Sequence, residues 1–160
     1  MSQRRPSPGE PSAVRVPTLP RAVPAVRDAS LDDAGDLLEL ARTFVISFPL
    51  DDGPFHESLE RLLGHRDAML PVVEGERGQV TRYLLAFVHD AFYANRPAAW
   101  SDEVAVDAAV RRQGCGRART EECERRAHAR GAKFVGLATR RALPFCESVD
   151  YEKSGTYRRM

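Results

Sequence analysis

The chain has 160 residues, 42% hydrophobic and 29% charged, enough for one globular domain and a short tail. Its 24 basic and 23 acidic residues leave a formal net charge of +1, so no global field draws it to nucleic acid or a membrane surface. No apolar run approaches the ~20 residues of a membrane helix, no apolar core follows Arg4 and Arg5 as in a secretory signal, and the three cysteines lack disulfide or metal spacing, as expected in a reducing cytoplasm.

Met1 to Arg21 carries five prolines among Ser, Arg and Gly with little to bury, and reads as a disordered tail. The folded domain is expected over residues 22–160. Val23 to Asp28 reads as a short strand with Pro24 at its start or on a sheet edge. Ser30 and Asp33 form a capping box for a helix whose buried face is Leu31, Ala34, Leu38, Ala41 and Val45. A second helix follows the Asp51–Pro54 turn, with Phe55, Leu59, Leu62 and Leu63 inward and Gly64 at its end.

Met69 to Glu74 is the second expected strand. Val80 to His89 is the third, and its run Tyr83-Leu84-Leu85-Ala86-Phe87-Val88 requires cover on both faces. Asp90 to Pro97 reads as a loop and Trp100 to Val106 as the fourth strand. A helix over Gly116 to Arg130 turns Ala118, Cys123 and Ala127 inward. Lys133 to Thr139 is the fifth strand, followed by a short helix at Ala142–Val149 and an extended end. This order, β-α-α-β-β-β-α-β-α-β, gives an α/β fold: a mixed sheet with helices on both faces.

The chemistry concentrates between Asp102 and Arg119. A strand ending Val104-Ala105-Val106 feeds a basic turn, Arg111-Arg112-Gln113-Gly114-Cys115-Gly116, and then a helix carrying Arg117 and Ala118. Free N–H groups and the helix dipole make such a turn an anion site, and the arginines add full charges; the site suits a phosphate group. A dinucleotide turn would need a third glycine and a distal acid, and a nucleoside-triphosphate loop would need Gly-Lys-Ser/Thr. Neither pattern is present.

The turn matches the form Gln/Arg-x-x-Gly-x-Gly/Ala. Downstream, Ala142, Phe145, Glu147, Tyr151 and Glu152 fit the segment Ala-x-x-Phe-Tyr-Glu-x-x-Gly-Phe/Tyr-Glu. With these two anchors in this element order, the chain from about Val23 onward resembles the GNAT superfamily of acetyl-CoA-dependent N-acetyltransferases. The resemblance implies a mostly antiparallel mixed sheet, splayed between the fourth and fifth strands, with acetyl-CoA as co-substrate and no metal. Val104, Ala105 and Val106 would hold the pantetheine arm, and Arg111, Arg112, Gln113, Gly114, Cys115, Gly116, Arg117 and Ala118 the pyrophosphate. The acceptor would be an amine on a small molecule or peptide. Nucleic acid and membrane are not expected partners, and domains of this kind often form homodimers.

Acetyl transfer needs a base to free the amine, a donor for the developing oxyanion and an acid for the leaving thiolate. By resemblance, a backbone N–H near Val104–Val106 supplies the second. Asp102 and Glu103 are both candidate bases, and strand alternation allows only one of them into a cleft. Glu103 has the longer reach, but a bulge would scramble the parity. His89 is a further candidate base, although a surface histidine is the simpler reading. Cys146 replaces the family's tyrosine acid: a thiol titrates near ~8.5 against ~10 for a phenol, but it is shorter. A buried cysteine acting as a small hydrophobe is the plainer reading. Asp150 replaces a glycine, and Arg82 and Arg119 stand where the family has small or aliphatic residues. Phe48, Phe92, Tyr93 and Trp100 are expected around the acceptor pocket, within the segments Phe44–Phe55 and Phe92–Trp100. The competing reading is a catalytically weak GNAT-like module that binds acyl-CoA or regulates a partner.

Overall fold

A computed structural model describes residues 25–44, 49–110 and 116–137. The elements are β1 (Val26–Asp28), α1 (Ala34–Phe44), α2 (Asp52–Leu63), β2 (Ala68–Met69), β3 (Pro71–Glu74), β4 (Val80–Ala91), β5 (Arg96–Val106), α3 (Gly116–Ala129) and β6 (Val135–Leu137). One sheet runs β1-β3-β4-β5-β6, with β2 also on β4. All its pairings are antiparallel except β5–β6, which α3 makes parallel by crossing between the two strands. The expected tail, Val45, Phe48, Arg111–Cys115, Cys146, Asp150 and the expected elements after Leu137 lie outside the described residues.

The apolar run of β4 lies at the centre of the sheet and buries both faces, as its composition requires. On one face Tyr83 and Leu85 pack with Leu37, Leu40 and Ala41 of α1 and Leu59 of α2. On the other face Ala86 and Val88 pack with Cys123 and Ala127 of α3. Cys123 and Ala127 thus face inward as expected, and burial pushes the Cys123 thiol up to about 11, which leaves it inert.

Three expectations need correction. Leu31 does not share the α1 stripe and is 54% exposed. Leu31–Asp33 form a 3₁₀ turn, whose three-residue period rotates Leu31 off the face set by Leu37, Leu38 and Ala41. The strand expected over Met69–Glu74 is interrupted at Leu70, because Pro71 has no N–H for the ladder. The loop expected over Asp90–Pro97 is instead a tight hairpin: β4 and β5 pair out to Ala91 and Arg96, with a 3₁₀ turn at Phe92–Ala94. Asn95 closes it at φ 54°, a left-handed position that Asn tolerates well.

Polar contacts tie the helices to the sheet. The Asp36 carboxylate accepts the Val80 N–H at 2.7 Å. Arg126 bonds Glu122 at 2.8 Å and also pairs with Asp28 on β1, while Arg125 bonds Glu122 at 2.8 Å. Arg130 donates to the Ala68 carbonyl at 2.8 Å. Arg125 and Arg126 are thus paired with a glutamate of their own helix, in keeping with the interleaved charges.

Asp33, 6% exposed, accepts two bonds of 2.8 Å from Arg27 and one of 2.8 Å from the Ser30 N–H. The Arg27 guanidinium, ahead of the Ser30 N–H, brings its carboxyl down from 3.8 to about 2 despite burial. A depressed carboxyl stabilises the fold above its unfolded value and loses that contribution as pH falls. Between about pH 4 and pH 2 the chain should lose on the order of 1–2 kcal/mol from this group, discounted because the Arg27 side chain is 37% exposed. Urea unfolding of the natural chain and of Asp33→Asn checks this: the stability difference should narrow across that window.

Candidate active site

The fourth expected strand is β5, and its parity is decided by a bulge. Ser101 pairs with Ala86 and Glu103 with Leu85, so Asp102 is an extra residue in β5. Upstream, Ala99 faces α3. Simple alternation from Ala99 would send Asp102 toward α1 and α2 and Glu103 toward α3. The bulge reverses this: Asp102 is exposed, while Glu103 turns to the α1–α2 side beside Leu85. Tyr83, two residues from Leu85 on β4, lies on the same side by simple alternation.

There the Tyr83 hydroxyl donates to Glu103 Oε2 at 2.7 Å. Tyr83 is 6% exposed. Burial first, and the Glu103 charge second, hold its phenol well above the ordinary range, so it remains a donor at every physiological pH. Sequence reading missed Tyr83. Its signal was a phenol inside the apolar run of a central strand, where a buried hydroxyl must find a partner.

Glu103 and Tyr83 sit in the wall of a cavity of about 320 Å³ between α1, α2 and the sheet. Pro49, Leu50, Asp51, Pro54 and Phe55 line it, so the segment Phe44–Phe55 does reach this site. The hairpin aromatics do not. Phe92 is fully exposed and Tyr93 is 75% exposed. Trp100 lies against Gly136 on the strand pair β5–β6. His89 is exposed near the hairpin and is not among the cavity residues.

At the other end of the stretch, the chain leaving β5 is tied to β4. Asp107 N–H donates to the Thr81 carbonyl at 2.9 Å, and Arg82, 5% exposed, donates from Nη2 to the Val110 carbonyl at 3.1 Å. Arg82 is thus accommodated at a position where the family has a small residue. Helix α3 then starts at Gly116, with Arg117 and Ala118 in its first turn and no acidic residue there to neutralise the dipole. Val104 is 44% exposed, an open apolar position on β5. Ala105 is 3% exposed and packs into the core, which leaves its backbone as the part able to meet a ligand. Among the described residues no cluster of His, Cys, Asp and Glu is arranged to hold a metal, and no helix is long and apolar enough to cross a membrane.

The sequence matches no protein-family model and no curated protein. Solved structures do match. Glucosamine-6-phosphate N-acetyltransferase of Arabidopsis thaliana superposes with a TM-score of 0.74 at 18% identity, covering 85% of this chain and 96% of that one. A GNAT family acetyltransferase of Staphylococcus aureus gives 0.69 at 13%, covering 85% and 98%. The chain has the GNAT acetyltransferase fold. An aminoglycoside acetyltransferase from an uncultured soil metagenomic sample, solved with sisomicin, shares this GNAT fold at a TM-score of 0.70 and 21% identity, covering 86% and 95%.

Proposed function

We propose that this chain transfers an acetyl group from acetyl-CoA to an amine, with Glu103 as the base. The observation that carries the reading is the bulge at Asp102, which brings the Glu103 carboxylate into the cavity under the hydroxyl of Tyr83. Acetyl-CoA supplies the activated acyl group. Glu103 takes the proton from the incoming ammonium, because only the neutral amine is a nucleophile. Tyr83 fixes the carboxylate rotamer and keeps one oxygen satisfied while the other faces the amine. A backbone N–H of the Val104–Val106 stretch polarises the acyl oxygen. Arg111 to Ala118, with the dipole of α3, hold the pyrophosphate. We place the pantetheine arm along Val104–Val106 of β5. Cys146 is the candidate acid for the departing thiolate.

Release of coenzyme thiol, followed with a colorimetric thiol reagent over a panel of amines, tests this proposal. Amine-dependent release supports it. Saturable acetyl-CoA binding without release across the panel favours the weak or regulatory module. Tyr83→Phe removes one hydrogen bond to a charged group, worth roughly 1.5–3 kcal/mol. We expect kcat to fall roughly tenfold or more, with the KM for acetyl-CoA unchanged. A change confined to the acetyl-CoA KM would place Tyr83 outside acceptor activation.

A further inference from the structure

The lining of the cavity restricts what kind of amine it can take. Its walls are mainly apolar: Leu37, Leu50, Phe55, Leu62 and Leu85 line it together with Glu103. The polar groups are few and mostly engaged. The Tyr83 hydroxyl donates to Glu103, and the Ser58 hydroxyl donates to the Pro54 carbonyl at 2.7 Å inside α2 and accepts at 3.1 Å from Arg61, which lies outside the lining. Asp51, the remaining charged residue of the lining, is acidic like Glu103. Among the described residues the cavity therefore offers negative charge and an apolar surface, but no cation.

We infer that the acceptor is a monoamine carried on an uncharged apolar body, aliphatic or aromatic, with its ammonium on Glu103. This deepens the acetyl-transfer reading and rests on it. A phosphorylated amine would bring an anion to a wall whose described residues include no cation. A polyhydroxylated amino sugar would bury hydroxyls against leucines, each costing roughly tenfold or more in affinity. A polyamine would push further cationic centres into the apolar wall. At about 320 Å³ the cavity stands at the small end of ligand pockets, in keeping with a compact amine. The same fold serves a glucosamine-6-phosphate and an aminoglycoside acetyltransferase, so the discrimination must come from wall residues and not from the sheet.

The test uses the full chain with 2-phenylethylamine, hexylamine, glucosamine, glucosamine 6-phosphate and spermidine. It measures kcat/KM by coenzyme release and, separately, amine binding by calorimetry without acetyl-CoA. Phenylethylamine or hexylamine should lead the hydrophilic amines by roughly tenfold or more in both measurements. Leu62→Gln, on the half-buried face of α2, should raise the KM for phenylethylamine several-fold and leave that for acetyl-CoA unchanged. Preference for glucosamine, its phosphate or spermidine overturns the acceptor class while leaving acetyl transfer intact. If no amine is acetylated, calorimetry still decides the class: binding of the apolar amines that Glu103→Gln weakens supports it, and absence of such binding overturns it.

Discussion

Glu103→Gln should lower kcat for acetyl transfer by roughly 10²–10⁴-fold and leave acetyl-CoA affinity within about twofold of the natural chain. The substitution is nearly isosteric. Its amide oxygen still accepts the Tyr83 hydroxyl, so the bond seen at 2.7 Å has a replacement and the wall of the cavity keeps its shape. What disappears is a group able to take a proton. The variant must then use amine already neutral in solution, so its rate should climb with pH toward the pKa of the free amine. Coenzyme release measured across pH, alongside Asp102→Asn, reads both effects. A loss in Asp102→Asn equal to that in Glu103→Gln would reverse the parity argument, and a fully active Glu103→Gln would remove the carboxylate from the mechanism.

The pair Asp102 and Glu103 also marks where sequence reading stops. Period and composition were enough for the central strand, because Tyr83 to Val88 is apolar at every position and must be covered twice. They were enough for α3, whose Cys123 and Ala127 are the small residues that allow close packing on the sheet. Which of two adjacent carboxylates enters a cleft depends on one extra residue in a ladder, and that residue leaves no compositional trace. The hairpin was misread for a related reason. Pro97 signals a break, yet it pairs with Asp90 and offers its carbonyl to the Lys133 N–H at 2.8 Å, so a strand could include it without needing its missing donor. Opening that hairpin in the sequence reading sent Phe92 and Tyr93 to the acceptor pocket. The closed hairpin instead puts them at its tip, away from the cavity that Phe55 lines. The basic turn at Arg111–Gly116 is read as an anion site from glycine spacing and charge alone, and Arg111–Cys115 lie outside the described residues.

Gly136→Ala should destabilise the chain by about 1–3 kcal/mol, the cost of overpacking, and lower Tm by several degrees. Gly136 pairs with Trp100 across the parallel β5–β6 contact. A Cβ at Gly136 would stand 2.6 Å from two carbons of the Trp100 ring, well inside van der Waals contact, so the ring or the strand must move. Trp100 lies just before Ser101, where the bulge that orients Glu103 begins. Displacing the indole therefore strains β5 beside the candidate base, and acetyl transfer should fall along with stability. Urea unfolding in a double-mutant cycle isolates the contact. In a Trp100→Leu background, which removes the ring, Gly136→Ala should cost markedly less than in the natural chain. Equal costs in the two backgrounds would show that the glycine is needed for its backbone and not for the face it gives to Trp100.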